Sequence, residues 1–275
     1  IIFIRKYSSV PICIDTEGAQ IRIQAKRKKF FKKNQTFYIS NKRKNTKLYP
    51  EYVLNNLKKG DILSIGFSNL YVKIIKKNEN ALCKVISSGF LENNKGVHLV
   101  NRKIKLNYLT AKDLEAIKIG KKLKIKNYAL SFTNSVKDIV QFNQLLKDEN
   151  KIFKIETKNA IKSFKKILKY GDQFLIDRGD LSKDVKIENI PVVQRNLFKL
   201  KQKYKNKKIY IATNLLESML ENNYPTRGEA NDIFNSLEMG AAGLVLAAET
   251  AVGKHPQDSV RFLQKMIKAF VKSNL

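Results

Sequence analysis

From Tyr128 onward the chain alternates short apolar runs with longer amphipathic ones. The short runs are YALSF (128–132), IFKIE (152–156), QFLID (173–177), IYIAT (209–213) and GLVLA (243–247), each of a length that suits a strand. The segments between them carry helical spacing. The last shows it best: after Pro256, whose fixed φ suits a first helical turn, Val260, Leu263, Ile267, Phe270 and Val271 fall on one stripe. Thr226 and Glu229, just after Pro225, have the T-x-x-E spacing of a capping box and open another predicted helix. Strands regularly separated by helices imply parallel βαβ units, and the expected architecture at this length is α/β, a (β/α)8 barrel of the TIM type. Counting VPICID (10–15), six strand units are visible where a closed barrel needs eight.

Between Ile23 and Asn101 the rhythm changes to short alternating runs such as FYIS, DILSIG, NLYVKII and ALCKVI, punctuated by Gly60, Gly66 and Gly89. This predicts a small inserted β-barrel domain that interrupts the α/β domain after the strand ending at Asp15. The expected division is residues 1–23 for the first visible barrel strand, 24–101 for the insert and 102–275 for the remaining strands and helices.

Composition narrows the class. With 43% hydrophobic residues in 275 the chain has material for a core, and no apolar run approaches the roughly 20 residues that cross a bilayer. Arg5 and Lys6 interrupt the apolar opening, so it is not read as a signal peptide. Two cysteines, Cys13 and Cys83, and two histidines, His98 and His255, are too few for a disulfide framework or a spaced zinc site. The expectation is a soluble protein of a reducing compartment, the cytoplasm or an organelle stroma, with no membrane partner. A start at Ile rather than Met is read as a segment missing upstream. The net charge of +30 raises the question of a polyanion, but only nine of the 54 basic residues are Arg and the lysines are scattered over nearly every segment. Nucleic acid is therefore not expected as a partner. The one concentration, Gln24 to Pro50 with ten cations and no acid, reads as a solvated face of the insert or as a patch for an anionic partner.

Chemistry in such barrels gathers at the C-terminal ends of the strands. Alternation along IFKIE places Lys154 and Glu156 on one face and Phe153 and Ile155 on the other. The next strand ends in Asp177-Arg178-Gly179-Asp180, the one after in Thr213, and the last in Glu249-Thr250. Glu156 and Asp180 can supply two carboxylate oxygens to one hard cation, with room left for water and phosphate, as Mg²⁺ prefers. Lys154 then stands beside it as a point charge for a transferring phosphoryl group. A buried structural Lys–Glu pair is the other reading of the same spacing.

The ordered series IDTEGAQIR (14–22), KGV (95–97), LTAKD (109–113), LSF (130–132), KIE (154–156), DRGDL (177–181), ATNLLESM (212–219), PTRGE (225–229) and AETAVGKHP (248–256) resembles pyruvate kinase over nearly the whole chain. The insert also falls at that family's position. The resemblance implies phosphoryl transfer from phosphoenolpyruvate to ADP, giving pyruvate and ATP, with Mg²⁺ or Mn²⁺ and K⁺ as cofactors and a homo-oligomeric assembly. Residue by residue it implies that Glu156 and Asp180 bind the divalent metal, that Lys154 bridges to the transferring phosphoryl group, and that Asp15 and Thr16 ligate K⁺. It further implies Arg22 for the nucleotide phosphates, Ser131 near the substrate phosphate, the amides of Gly179 and Asp180 for the substrate carboxylate, and Thr213 where the enolate is protonated. Arg227 and Glu249 are expected to form a supporting ion pair.

The sequence also departs from the family. Phe153 replaces a small hydroxyl residue, Ser182 a Gly, and Asp177 an Ala, and GFSNL (66–70) stands where the family has an Asp-Asp-Gly turn. Asp177 is expected to repel a substrate carboxylate unless it turns away or pairs with Arg178. The family's first two barrel strands and its C-terminal regulatory domain have no counterpart in these residues. Two further readings are a divergent barrel, inactive or acting on another phosphorylated or carboxylated substrate, and a basic polyanion-binding protein.

Overall fold

Apolar strands buried on both faces need helices over them, and the α/β part of the chain supplies both. The computed structural model describes residues 1–42, 46–66 and 70–273. These form two units, Ile1–Gly18 with Ala111–Leu275, and Ala19–Thr110.

The first unit carries six parallel strands: β1 (Cys13–Asp15), β2 (Asn127–Leu130), β3 (Asn150–Ile155), β4 (Gln173–Asp177), β5 (Lys208–Ala212) and β6 (Gly243–Val245). They lie in chain order across one sheet, with Cys13 opposite Asn127, Phe153 opposite Phe174, and Ile211 opposite Leu244. All six strands expected from the sequence are present. Among the described residues β1 and β6 each pair on one side only.

The helix-facing layer of the sheet is aromatic. Phe153 of β3 meets Phe142 from the helix Val136–Leu145 and Phe174 of β4, both at 6.1 Å between ring centroids, and Phe164 from the helix Lys158–Ile167 packs edge-on against Phe174 at 5.4 Å. Gly171 makes room for Phe153, since a Cβ there would lie 2.6 Å from its ring. The helix Arg227–Glu238 opens with the expected capping box, and Pro256 starts the helix Pro256–Ser273. No helix among the described residues is long and apolar enough to cross a membrane.

The second unit is an antiparallel sheet of seven strands in the order Thr36–Ile39, Ala81–Ser87, Leu70–Lys77, Ile62–Ile65, Lys95–Leu99, Ile21–Gln24, Lys47–Tyr49. A bridge from Ile39 to Thr46 ties its two edges, so the sheet curls back on itself as a small barrel. Strict alternation buries Ile23, Leu48, Leu63, Ile65, Val72, Ile74, Val85 and Val97 inside it.

The insert is longer than the sequence pattern implied, running from Ala19 rather than 24 and to Thr110 rather than 101. Two pairings move the boundaries. Ile21–Gln24 is hydrogen-bonded to strands of the insert on both sides, and Arg102 holds Asp61 through two 2.7 Å hydrogen bonds while the Asn107 amide donates to the Tyr52 hydroxyl at 3.0 Å. Residues 67–69 of the GFSNL turn lie outside the described residues, as do 43–45 of the cation-rich segment.

The chain leaves and re-enters the α/β unit through one knot of hydrogen bonds. Asp113, in the first turn of the helix Ala111–Lys122, accepts from the Glu17 amide at 2.7 Å and from the Gly18 amide at 3.1 Å. Gly18 has φ +65° and presses on the Ser131 carbonyl, where a Cβ would come within 2.3 Å of the oxygen. Only glycine fits there.

Candidate active site

The pleat of β3 carries Lys154 to the face opposite the aromatic layer, and Glu156 follows on that face at the strand's C-terminal end. Lys154 is 9% exposed and Glu156 1%. The Lys154 ammonium lies 3.0 Å from Asp15 Oδ2 at the end of β1, 3.1 Å from Glu156 Oε1, and 3.7 Å from Asp177 Oδ2 at the end of β4. Burial works against its charge. The three carboxylates more than offset that cost, and the ammonium stays charged well above the usual lysine range.

Glu156 is held from the other side. Its Oε2 accepts from the Phe132 amide at 2.5 Å, an amide presented by a left-handed Phe132 (φ 52°) just beyond β2. Its Oε1 is fully buried and receives no hydrogen bond, the ammonium of Lys154 being its ion-pair neighbour. Burial pushes the Glu156 carboxyl up to about 7; Lys154 pulls it back down and Asp177 adds to the rise.

The segment after β4 forms a one-turn helix, Arg178–Leu181, capped by Asp177. Asp177 Oδ1 accepts from the Asp180 amide at 3.2 Å and lies 3.1 Å from the Thr213 hydroxyl, whose one proton has the Ala212 carbonyl at 2.6 Å as its nearer acceptor; that hydroxyl accepts from the Gly179 amide at 2.8 Å. The Ser182 hydroxyl donates to the Gly179 carbonyl at 2.7 Å. Thr213 is itself left-handed (φ 66°), rare for a β-branched residue and the kind of strain that gathers at working sites. Asp180 pairs with Lys183.

Oxygens of Glu156, Asp177 and Asp180 all lie within 4.8 Å of one another. With Asp15 the pocket holds four carboxylates against the two ammoniums of Lys154 and Lys183. That leaves two negative charges when all four are ionised, the deficit one divalent cation makes good. The all-oxygen donor set and the unsolvated Glu156 Oε1 suit Mg²⁺ or Mn²⁺.

The structure brings together Lys154, Glu156, Asp180, Gly179, Thr213, Asp15, Thr16 and Ser131. Ser131 donates its hydroxyl to Asp15 Oδ1 at 2.9 Å and its amide to Thr16 Oγ1 at 3.0 Å, so the two residues expected to ligate K⁺ are already engaged. Arg22 belongs to the insert, where its guanidinium donates to the Asn94 carbonyl at 3.0 Å.

Asp177 neither turns away nor pairs with Arg178, which leaves the other reading of it standing; it sits inside the cluster, and Arg178 instead meets Asp232 at 2.5 Å and the Thr213 and Asn214 carbonyls. One expectation needs correction. Glu249 is not held by Arg227 but accepts from the Ala247 amide at 2.8 Å and the Leu216 amide at 3.2 Å. Sequence reasoning also missed Lys183 and the Phe132 amide. The first had a visible signal in its i+3 spacing from Asp180; the second, a backbone donor set by a left-handed turn, had none.

Comparison with known proteins identifies the family. The profile of the pyruvate kinase barrel domain matches residues 3–260. A pyruvate kinase of Thermotoga maritima is 33% identical over 96% of this chain and 59% of its own, and one of Methanocaldococcus jannaschii 30% identical over 93% and 57%. The crystal structure of Cryptosporidium parvum pyruvate kinase superposes with a TM-score of 0.85 at 26% identity, covering 96% of this chain and 59% of that one. The chain thus spans somewhat over half the length of these relatives. On its barrel strands, its inserted β domain and this match over nearly all its residues, the chain belongs to the pyruvate kinase family.

Proposed function

We propose that this chain carries the phosphotransferase site of a pyruvate kinase: the phosphoryl group passes from the enol oxygen of phosphoenolpyruvate to the β-phosphate of ADP, and the enolate takes a proton at carbon to become pyruvate. The observation that carries this reading is the buried Lys154 ammonium beside the Glu156 and Asp180 carboxylates at the strand ends.

Glu156 and Asp180 would hold a divalent cation, which when bound supplies positive charge to the phosphoryl oxygens. Lys154 is a fixed cation, already ordered by three carboxylates, for the charge on the transferring group. It costs no reorganisation at the moment of transfer. Ser131, hydrogen-bonded to Asp15, would steady the substrate phosphate, and the Thr213 hydroxyl, beside Asp177, would serve the protonation of the enolate. Family membership supports, as part of this reading, potassium ligation by Asp15 and Thr16, nucleotide contact by Arg22 and assembly into a homo-oligomer. A second reading, a barrel acting on a different phosphorylated compound, draws support from Asp177, whose carboxylate occupies the Asp180 amide that a substrate carboxylate would use.

The test is coupled measurement of pyruvate from phosphoenolpyruvate and ADP by the full-length protein at saturating Mg²⁺ and K⁺. Lys154→Met is expected to cut turnover by several orders of magnitude, since a positioned cation in a water-poor site is worth roughly 3 kcal/mol or more. Near-normal turnover in that variant would leave the lysine a purely structural role and refute the reading.

A further inference from the structure

We propose that Asp177 is a third protein ligand of the divalent cation, its carboxylate standing where the substrate's own carboxylate would otherwise complete the site. The inference rests on the phosphotransferase reading and concerns one residue of this chain.

Three observations carry it. Oxygens of Asp177, Glu156 and Asp180 lie within 4.8 Å of one another, the spacing at which one cation can touch all three. Glu156 Oε1, in a residue 1% exposed, receives no hydrogen bond and has the Lys154 ammonium as its ion-pair neighbour at 3.1 Å. Asp177 is itself 8% exposed and aligned by its neighbours: the Asp180 amide donates to Oδ1 at 3.2 Å and the Thr213 hydroxyl lies 3.1 Å from the same oxygen, which leaves Oδ2 directed to Lys154 at 3.7 Å, longer than either of the lysine's other two ion pairs. A carboxylate fixed through one oxygen and loosely paired through the other is preorganised to ligate.

Occupying the Asp180 amide has a second effect. The Asp180 amide is one of the two groups the family resemblance assigns to a bound carboxylate, and Asp177 has taken it; the other, the Gly179 amide, is engaged by the Thr213 hydroxyl. A carboxylate substrate or analogue must therefore displace Asp177 from the cation and from the Asp180 amide. The residue would raise affinity for the bare metal and lower affinity for a second carboxylate, which makes it a specificity determinant.

The experiment measures Mn²⁺ binding by the loss of the free-ion paramagnetic resonance signal, with the metal alone and again with oxalate, a small dicarboxylate. Asp177→Asn keeps an oxygen for the Asp180 amide and removes the charge, and a single cooperative melting transition checks that the variant folds; Asp177→Ala is the second variant. Removing one of three ligating carboxylates is expected to weaken Mn²⁺ binding about tenfold in both variants. Oxalate should tighten Mn²⁺ binding more in the variants than in the parent. If Asp177→Asn binds Mn²⁺ as the parent does while Glu156→Gln loses it, this inference is overturned and the metal site stands. If Glu156→Gln also binds normally, the site reading itself fails and takes this proposal with it.

Discussion

One lysine and one glutamate, two residues apart on β3, set the electrostatics of the pocket. Their shifts have different consequences. The Lys154 ammonium is held charged above the ordinary lysine range, so its stabilising contribution is present throughout the accessible pH range and is lost only in strong base. Glu156 is raised from 4.5 to about 7. Between those values the folded metal-free chain keeps a proton that the unfolded chain has released, so this group's contribution, complete below about 4.5, is lost as pH rises through about 7. The metal-free protein should accordingly lose roughly 1–3 kcal/mol of stability from this source between about pH 5 and pH 8. Urea unfolding at the two pH values checks it: Glu156→Gln should flatten the difference, and an unchanged difference in the variant would assign it to other groups. Added Mn²⁺, which competes with that proton, should stabilise the parent more at the higher pH. The residues of this pocket that sequence could indicate were those on the alternating face of a strand or in a strand-end motif, Lys154, Glu156, Asp180 and Thr213. What it could not indicate was orientation. Asp177 was visible as an oddity, yet its side chain is aimed by a threonine from a different strand and by the amide of its own helix, partners separated from it by 36 and 3 positions, of which only the nearer is legible locally.

At the scale of elements the legible features were those whose cause is local. Strand runs, the Pro256 helix start and the T-x-x-E box are all written within a few residues, and all appear in the fold. The edges of the insert were not, because Ile21–Gln24 is claimed by Lys95–Val97, strands far apart in the chain. The capping box also does more than close its own helix. Glu229 accepts from the Thr226 amide at 2.7 Å and from the Ser218 amide at 2.7 Å, thereby tying the turn Glu217–Leu220 to the helix Arg227–Glu238. Despite partial burial, the Ser218 and Thr226 hydrogen bonds hold its carboxyl below the usual range. Thr226→Ala should cost about 1 kcal/mol, the ordinary price of a lost cap. Glu229→Ala should cost more, since it frees the Ser218 amide as well. Thermal unfolding of both variants decides the order, and a Thr226 variant that proved the weaker of the two would show the Ser218 link to be idle.

At the scale of the whole molecule the insert has a core of its own, and Leu63, fully buried within it, is a fair probe. Leu63→Ala should remove about 2–5 kcal/mol of the insert's stability. The loss should be visible as early amide exchange in Ile62–Ile65 and Leu70–Lys77, while β3 and β4 keep their protection; simultaneous loss in both units would mean that they unfold as one. A last consequence concerns time. The strand β1 finds its partner at Asn127–Leu130, on the far side of the insert, and the two crossings of the chain are joined at Asp113 by the Glu17 and Gly18 amides. A chain emerging residue by residue must therefore leave β1 waiting while the whole insert is made. If the insert folds during that wait, it carries Gly18 and Asp113 toward each other and turns a long loop closure into a short one, so the β barrel acts as a folding clasp for the sheet it interrupts. Pulsed hydrogen exchange during refolding should then show the insert's strands protected before Tyr128–Leu130, and Leu63→Ala should delay the second event along with the first.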